Sequence, residues 1–155
     1  MNLPSFLPPF LNLDGDWCEV LDNLYKVFRR DFIERPLFYR ACRVFCDSRK
    51  VDSDKEEAFW HLITKEQGGE RLVDYGRAKR LPWIRPIIEN SDRPEIKEWE
   101  YLEKGKKVRV YLWVEDHDYV VVLERKGNRC FLVTAYYVEG ESTRRRLRRK
   151  YEKRL

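Results

Sequence analysis

Four groups of side chains in this chain have the types and spacing to do chemistry. The first is one imidazole, His61, inside the otherwise apolar run Phe59-Trp-His-Leu-Ile-Thr64. An imidazole titrates near neutral pH and can act as a general base or acid, although a lone histidine among apolar neighbours also serves as a core residue satisfied by one hydrogen bond. The second is Thr134 with Tyr136, two residues apart and so on one face of a strand. Both are ordinary strand residues by propensity. Beside an acid–base histidine, two hydroxyls on one sheet face hold a phosphate or donate to a developing oxyanion. The third is Arg71, Arg77 and Arg80, interleaved with Glu70 and Asp74. The fourth is Arg144, Arg145, Arg146, Arg148, Arg149 and Lys150, broken only by Leu147. A few cations complement a helix dipole. Six in seven positions exceed that need and point to a polyanion.

Other chemistries lack their residues. There is no Walker loop, no GxGxxG and no GxSxG. Asp116-His117-Asp118 are adjacent in a turn and point in divergent directions, and the carboxylates lack the spacing of a two-metal nuclease. Cys18, Cys42, Cys46 and Cys130 form no CxxC pair and no metal spacing with the two histidines. The expectation is a chain without metal or cofactor, its cysteines free thiols in a reducing cytoplasm.

The elements that must position these groups follow from periodicity. Val108 to Val114 alternates, Tyr119 to Leu123 is apolar on both faces, and Cys130 to Val138 is a third strand. Turns at Glu115–Asp118 and Lys126–Asn128 are too short for anything but antiparallel neighbours, so Val108–Val138 reads as a β-meander. Further strands are expected near 37–46, 59–64 and 96–101. Asp16 and Glu19 have capping-box spacing, and Trp17, Val20, Leu21, Leu24, Phe28 and Phe32 give an amphipathic helix over 17–33, ended by Pro36. Gly68-Gly69 opens a turn before an expected helix at Glu70–Arg80, and a short one is expected over Pro86–Asn90. Residues 1–13 read as an extended segment against the body. From Glu141 onward the chain is a charged helix.

At 155 residues the chain is expected to be one domain with a real core. Its apolar runs are too short to span a bilayer, and its start, with Pro4, Pro8 and Pro9, does not resemble a signal peptide. The net charge of +5 is uneven: residues 140–155 hold eight Lys/Arg against two Glu, a net +6, which leaves residues 1–139 at −1. The class is α+β: an antiparallel β-meander sheet packed by the N-terminal helix, with a central helical insertion and a basic C-terminal helix.

Three blocks, Phe59-Trp-His-Leu-Ile-Thr64, Gly76-Arg-Ala-Lys-Arg-Leu-Pro-Trp-Ile-Arg-Pro-Ile-Ile-Glu-Asn90 and Phe131-Leu-Val-Thr-Ala-Tyr136, together resemble the phage and prophage proteins grouped as barnase–EndoU–colicin–RelE-like nucleases. The resemblance covers roughly residues 14–155. It implies a metal-independent ribonuclease on an antiparallel sheet with N-terminal helices. It also implies a histidine, an arginine or lysine, and a Thr/Tyr pair on one face, here His61, Arg77 or Arg80, and Thr134 with Tyr136. The partner would be RNA, tRNA among the candidates, with a neutralising protein partner in keeping with a toxin or phage effector, and no membrane.

The leading expectation is therefore an endoribonuclease in which His61 deprotonates the ribose 2′-OH to give a 2′,3′-cyclic phosphate. The alternative is a noncatalytic nucleic-acid-binding or virion-associated protein on the same fold. Convergence of His61, an arginine and Tyr136 on one cavity separates the two.

Overall fold

The computed structural model describes residues 2–155. It is an α+β fold with a six-stranded mixed sheet, a separate two-stranded hairpin and five α-helices. The helices are α1 (Trp17–Phe28), α2 (Glu57–Ile63), α3 (Tyr75–Ala78), α4 (Ile84–Glu89) and α5 (Gly140–Glu152). The strands are β1 (Leu37–Tyr39), β2 (Cys42–Phe45), β3 (Thr64–Gln67), β4 (Glu70–Val73), β5 (Lys97–Glu103), β6 (Lys107–Val114), β7 (Tyr119–Lys126) and β8 (Arg129–Tyr137). The large sheet runs β1-β2-β8-β7-β6-β5, and β3 with β4 form the hairpin.

The expected meander is β6-β7-β8, antiparallel throughout. Its alternation works because both faces are buried. Val110, Leu112, Val121, Leu123 and Leu132 enter the main core with Leu24, Phe28, Phe59 and Ile84 from the helices. On the other face Trp99, Tyr111, Trp113, Val120 and Val122 form a smaller core closed by Leu147 of α5. The sheet curls so far that its two edges are cross-linked, with Tyr39 and Arg40 beside β1 both donating to Glu98 of β5.

Several expectations are overturned. The sheet is not wholly antiparallel: β2 pairs in parallel with β8. A long intervening connection removes the constraint that short turns impose. Residues 37–46 form not one strand but a tight hairpin, with Arg40 at φ 52° in its turn. Residues 59–63 are no strand either. They belong to α2, which buries Ala58, Phe59, Leu62 and Ile63 at helical spacing and leaves His61 on its outer face, and only Thr64 begins a strand, β3. A short, almost wholly apolar run has no readable period, so local pattern does not decide it.

The helix expected at Glu70–Arg80 is instead β4 followed by the four-residue α3. Gly68 and Gly69, at φ +61° and +79°, make the two-residue turn that joins β3 to β4. This hairpin buries little, so its strands carry no apolar alternation. The Asp16 side chain makes no capping bond, so the capping box is absent, and residues 29–33 continue α1 as a wider π-type turn. The helix expected over Pro86–Asn90 is α4, starting two residues earlier. Residues 2–13 lie extended on the body: Pro8 accepts from the Trp83 indole at 2.8 Å, and Phe10 stacks on Trp83. No described helix is long and apolar enough to cross a membrane.

Candidate active site

Helices α2 and α3 lie against β8. At Gly76 in α3 a Cβ would sit 3.6 Å from Tyr137 Cβ, an ordinary contact, but 3.3 Å from Asp74 Oδ1, so a side chain there would crowd the carboxylate that caps the helix. Asp74 begins α3 by accepting the Arg77 amide at 3.2 Å. That start aims the Arg77 side chain back at the end of α2, where helical carbonyls lack partners. Arg77 Nη1 donates to the carbonyls of His61 at 3.2 Å and Thr64 at 3.0 Å. Its guanidinium also lies 5.8 Å from the centre of the Tyr136 ring. Arg77 thus touches the histidine's backbone on one side and the tyrosine on the other.

Arg77 lines one of two nearby cavities, and His61 lines the other. One, of about 450 Å³, is lined by Lys65, Asp74, Arg77, Tyr136, Tyr137, Glu139, Thr143 and Arg146. The other, of about 350 Å³, is lined by Asp47, Arg49, Glu57, Ala58, His61, Leu62, Leu132 and Val133. His61 and Tyr136 therefore line neighbouring cavities rather than one. Thr134 shares the sheet face of Tyr136, opposite Val122, but lines neither cavity.

The electrostatics suit phosphate chemistry. The protein packed around one side of the His61 ring disfavours its charged form, and the positive charges of Arg77 and then Arg71 add to that, so the imidazole sits below its usual range despite opposition from Glu57 and Glu66. His61 is accessible to solvent and is the free base at neutral pH. Burial raises the Tyr136 phenol, and although Arg146, Lys150 and Arg77 oppose this, it keeps its proton as a donor.

Arg80 does something different. It is buried, donates to the Gly76 carbonyl at 2.9 Å, and lies 4.1 Å from the Tyr137 ring centre and 4.7 Å from that of Phe10. It pins the N-terminal segment to β8 and lines neither cavity. Arg71 is held by Glu57.

The basic helix α5 is less free than its sequence suggests. Arg144 pairs with Asp118 at 2.6 Å and with Glu141 at 3.1 Å. Arg148 reaches Glu115 at 3.4 Å, and Lys150 binds Glu103 at 2.7 Å and the Tyr111 hydroxyl at 2.8 Å. Arg145 and Arg149 are exposed and have no carboxylate partner among the described residues. Arg146 makes only a 3.4 Å contact with Thr143 and turns toward the larger cavity.

Sequence reasoning missed Lys65 and Thr143. Lys65 stands in the exposed hairpin, where no periodicity marks it. Thr143 had a signal: it opens α5 three residues before Arg146, so the two share a helix face. No protein-family model, curated protein or solved structure matches the chain.

Proposed function

We propose that the protein is a metal-independent endoribonuclease acting at the seam between the two cavities. The observation that carries the reading is Arg77, with one nitrogen fixed on the carbonyls of His61 and Thr64 and its guanidinium facing Tyr136 and the larger cavity. A phosphate in that cavity meets Lys65, Arg77 and Arg146, which outnumber the carboxylates of Asp74 and Glu139 in the same lining, and the neutral Tyr136 phenol, which donates to a phosphoryl oxygen. An RNA strand crossing from one cavity to the other passes Arg77 and brings a ribose alongside His61.

In the reaction, His61 takes the proton of the 2′-OH, and the 2′-oxygen attacks the adjacent phosphorus. The bond to the 5′-oxygen breaks, and that oxygen takes a proton from water as it leaves, while His61 later returns its own proton to solvent. The product is a 2′,3′-cyclic phosphate. The nucleophile belongs to the substrate, so the protein supplies proton transfer, orientation and charge stabilisation. The resemblance to barnase–EndoU–colicin–RelE-like nucleases supports the same reading through His61, Arg77 and Tyr136, though not through Thr134 or Arg80, with RNA, tRNA included, as substrate.

Cleavage should persist in EDTA, leave cyclic-phosphate ends and fail where the ribose 2′-OH is methylated at the cut. His61→Ala should lose roughly 100-fold or more in rate while RNA binding holds. A folded His61→Ala protein that cleaves at the wild-type rate refutes the mechanism, and so does a strict metal requirement.

A noncatalytic RNA-binding reading has one observation in its favour, the separation of His61 and Tyr136 into neighbouring cavities. It becomes the better account if the wild-type protein binds RNA and cuts none.

A further inference from the structure

On the sheet face that carries α5, the helix covers the strands from β5 to β7 and leaves the opposite corner open. That corner is built from Phe38 on β1, Arg43 and Phe45 on β2, Arg129 and Phe131 on β8, and Lys126 at the end of β7. Cross-strand register puts them all on one face: Phe38 opposes Arg43, Arg43 opposes Arg129, Phe45 opposes Phe131, and Arg129 opposes Lys126.

The side chains form an alternating array rather than an oily patch. Arg43 lies 5.9 Å from the Phe38 ring centre and 5.2 Å from that of Phe45. Arg129 is 5.7 Å from Phe45, Lys126 is 5.3 Å from Phe131, and the rings of Phe45 and Phe131 are 6.0 Å apart. Phe38 is 47% exposed, a high value for so large an apolar side chain. Neither Arg43 nor Arg129 has a carboxylate partner among the described residues. Glu124, opposite Phe131 on the neighbouring strand, is buried and already engaged by Arg109 and Lys126.

Rings interleaved with two unpaired arginines fit one partner class best. The centre of a protein–protein interface takes rings and arginine too, but it is depleted in charge overall and in lysine. A single-stranded polynucleotide needs the reverse, a π-face for each exposed base and a cation for each phosphate. Guanidinium planes accept bases by stacking as phenyl rings do, so the arginines serve both ends of a nucleotide.

The patch also has a direction. An irregularity in the β7–β8 pairing leaves Val133 as an extra residue, so Leu123 opposes Leu132 while Val122 opposes Thr134. That shift puts Phe131 on the same face as Thr134 and Tyr136. One strand therefore leads from the open corner to the Arg77 cleft, about 16 Å at strand spacing.

We infer that Phe38, Phe45 and Phe131, with Arg43 and Arg129, form a stacking platform for single-stranded RNA that feeds the cleft. The inference takes its RNA partner from the proposed function but does not depend on cleavage, and the test separates the two. Binding is measured by fluorescence anisotropy with a fully 2′-O-methylated oligonucleotide, which has no nucleophile. Its abasic counterpart and a duplex of the same sequence are compared. Phe131→Leu and Phe45→Leu keep apolar volume while removing the ring, and Phe38→Ala removes an exposed one.

The triple ring variant should bind the single strand roughly tenfold or more weakly. Its affinity for the abasic strand and the duplex should stay within about twofold, because neither offers free bases. Arg43→Ala with Arg129→Ala should weaken single strand and abasic strand alike. Equal losses on all three ligands would overturn stacking, and an unchanged single-strand affinity in the folded triple variant would overturn the platform and leave the face to a protein. If wild type cuts no RNA yet the pattern holds, the platform stands and the nuclease reading falls.

Discussion

Helix α5 and the cleft beside its first turn are both cationic, and they hold their cations in different ways. Along α5 the inward cations meet carboxylates at the ends of the sheet: Arg144 meets Asp118, Arg148 meets Glu115, and Lys150 meets Glu103. Each such pair docks the helix and cancels its charge toward solvent. In the cleft, Arg77 is fixed mainly by two carbonyl oxygens, which take none of its charge, and its one carboxylate neighbour, Asp74, stands 3.6 Å from its Nε. Arg146 belongs to α5 by sequence and to the cleft by geometry. Charge available to a ligand thus depends on what each cation already faces, not on how densely cations follow one another along the chain.

The sharpest way to break this contrast is to remove one cation from each region. Arg77→Ala should reduce RNA cleavage roughly 100-fold, since it removes a positioned charge from the phosphoryl oxygens. Arg148→Ala should change it less than about threefold, because its partner carboxylates are solvated once released. Arg77→Lys isolates the geometric part, since a point charge cannot hold two carbonyls and a ring at once. Comparable losses from Arg77→Ala and Arg148→Ala would mean the two regions do not differ as described.

The pH profile sharpens the same point. Burial and the two neighbouring arginines hold His61 below the ordinary imidazole value of 6.5. Its basic form is therefore already dominant at pH 6.5, and kcat/KM should fall only when pH drops through that lowered value, by about tenfold per unit below it. In Arg71→Gln the limb should move toward higher pH, because one repulsive charge is gone. An acid limb at or above 6.5 in wild type would contradict the environment drawn for the imidazole.

What the sequence made legible tracks how much apolar surface each element buries. The meander is readable because β6 alternates and β7 is apolar on both of its buried faces, and α5 because its cations are broken only by Leu147. The hairpin at 64–73 was not, because it buries little and leaves Leu72 42% exposed. The run 59–64 misled in the other direction, since apolar residues at nearly every position fit a buried strand or a buried helix alike. Thr134 and Tyr136 were correctly placed on one face by period two. Their relation to Phe131 was not, since one extra residue at Val133 reverses the alternation. Arg77 and Arg80 looked equivalent. Only the packing of Phe10 and Tyr137 around Arg80 separates a structural cation from one at a cavity.

A smaller effect lies within α5. Arg145 and Arg149 face solvent unpaired, whereas Arg144 and Arg148 are engaged. Replacing the first two with Gln should lower the slope of log K against log salt by about 1.4 for single-stranded RNA, near 0.7 for each phosphate no longer neutralised. Replacing the second pair should shift that slope by well under one unit. A duplex of matching length serves as control for length, and equal slopes for the two double variants would show that pairing in the free protein does not govern which arginines meet RNA.

The smallest effect concerns how α5 is held on its core. Burial alone would raise the Glu103 carboxyl, but hydrogen bonds from Lys150 and Tyr111 outweigh it and hold the group below its ordinary value near 4.5. A carboxylate whose pKa is depressed on folding contributes stability above its unfolded value and loses that contribution as pH falls through the folded one. The docking of α5 should therefore loosen below about pH 4.5, on the order of 1 kcal/mol for this pair. Thermal unfolding across pH 3 to 7 measures it as the difference between wild type and Glu103→Gln, which cancels the other titrating acids. The two curves should converge toward pH 3 and separate above pH 5, with wild type the more stable. Because Tyr151 packs edge-on against Trp99 at 5.4 Å, indole fluorescence should report the same step as the helix lifts. Parallel curves across that range would mean that apolar packing around Leu147 alone holds the helix, and the contrast between engaged and available cations would then rest on the arginines.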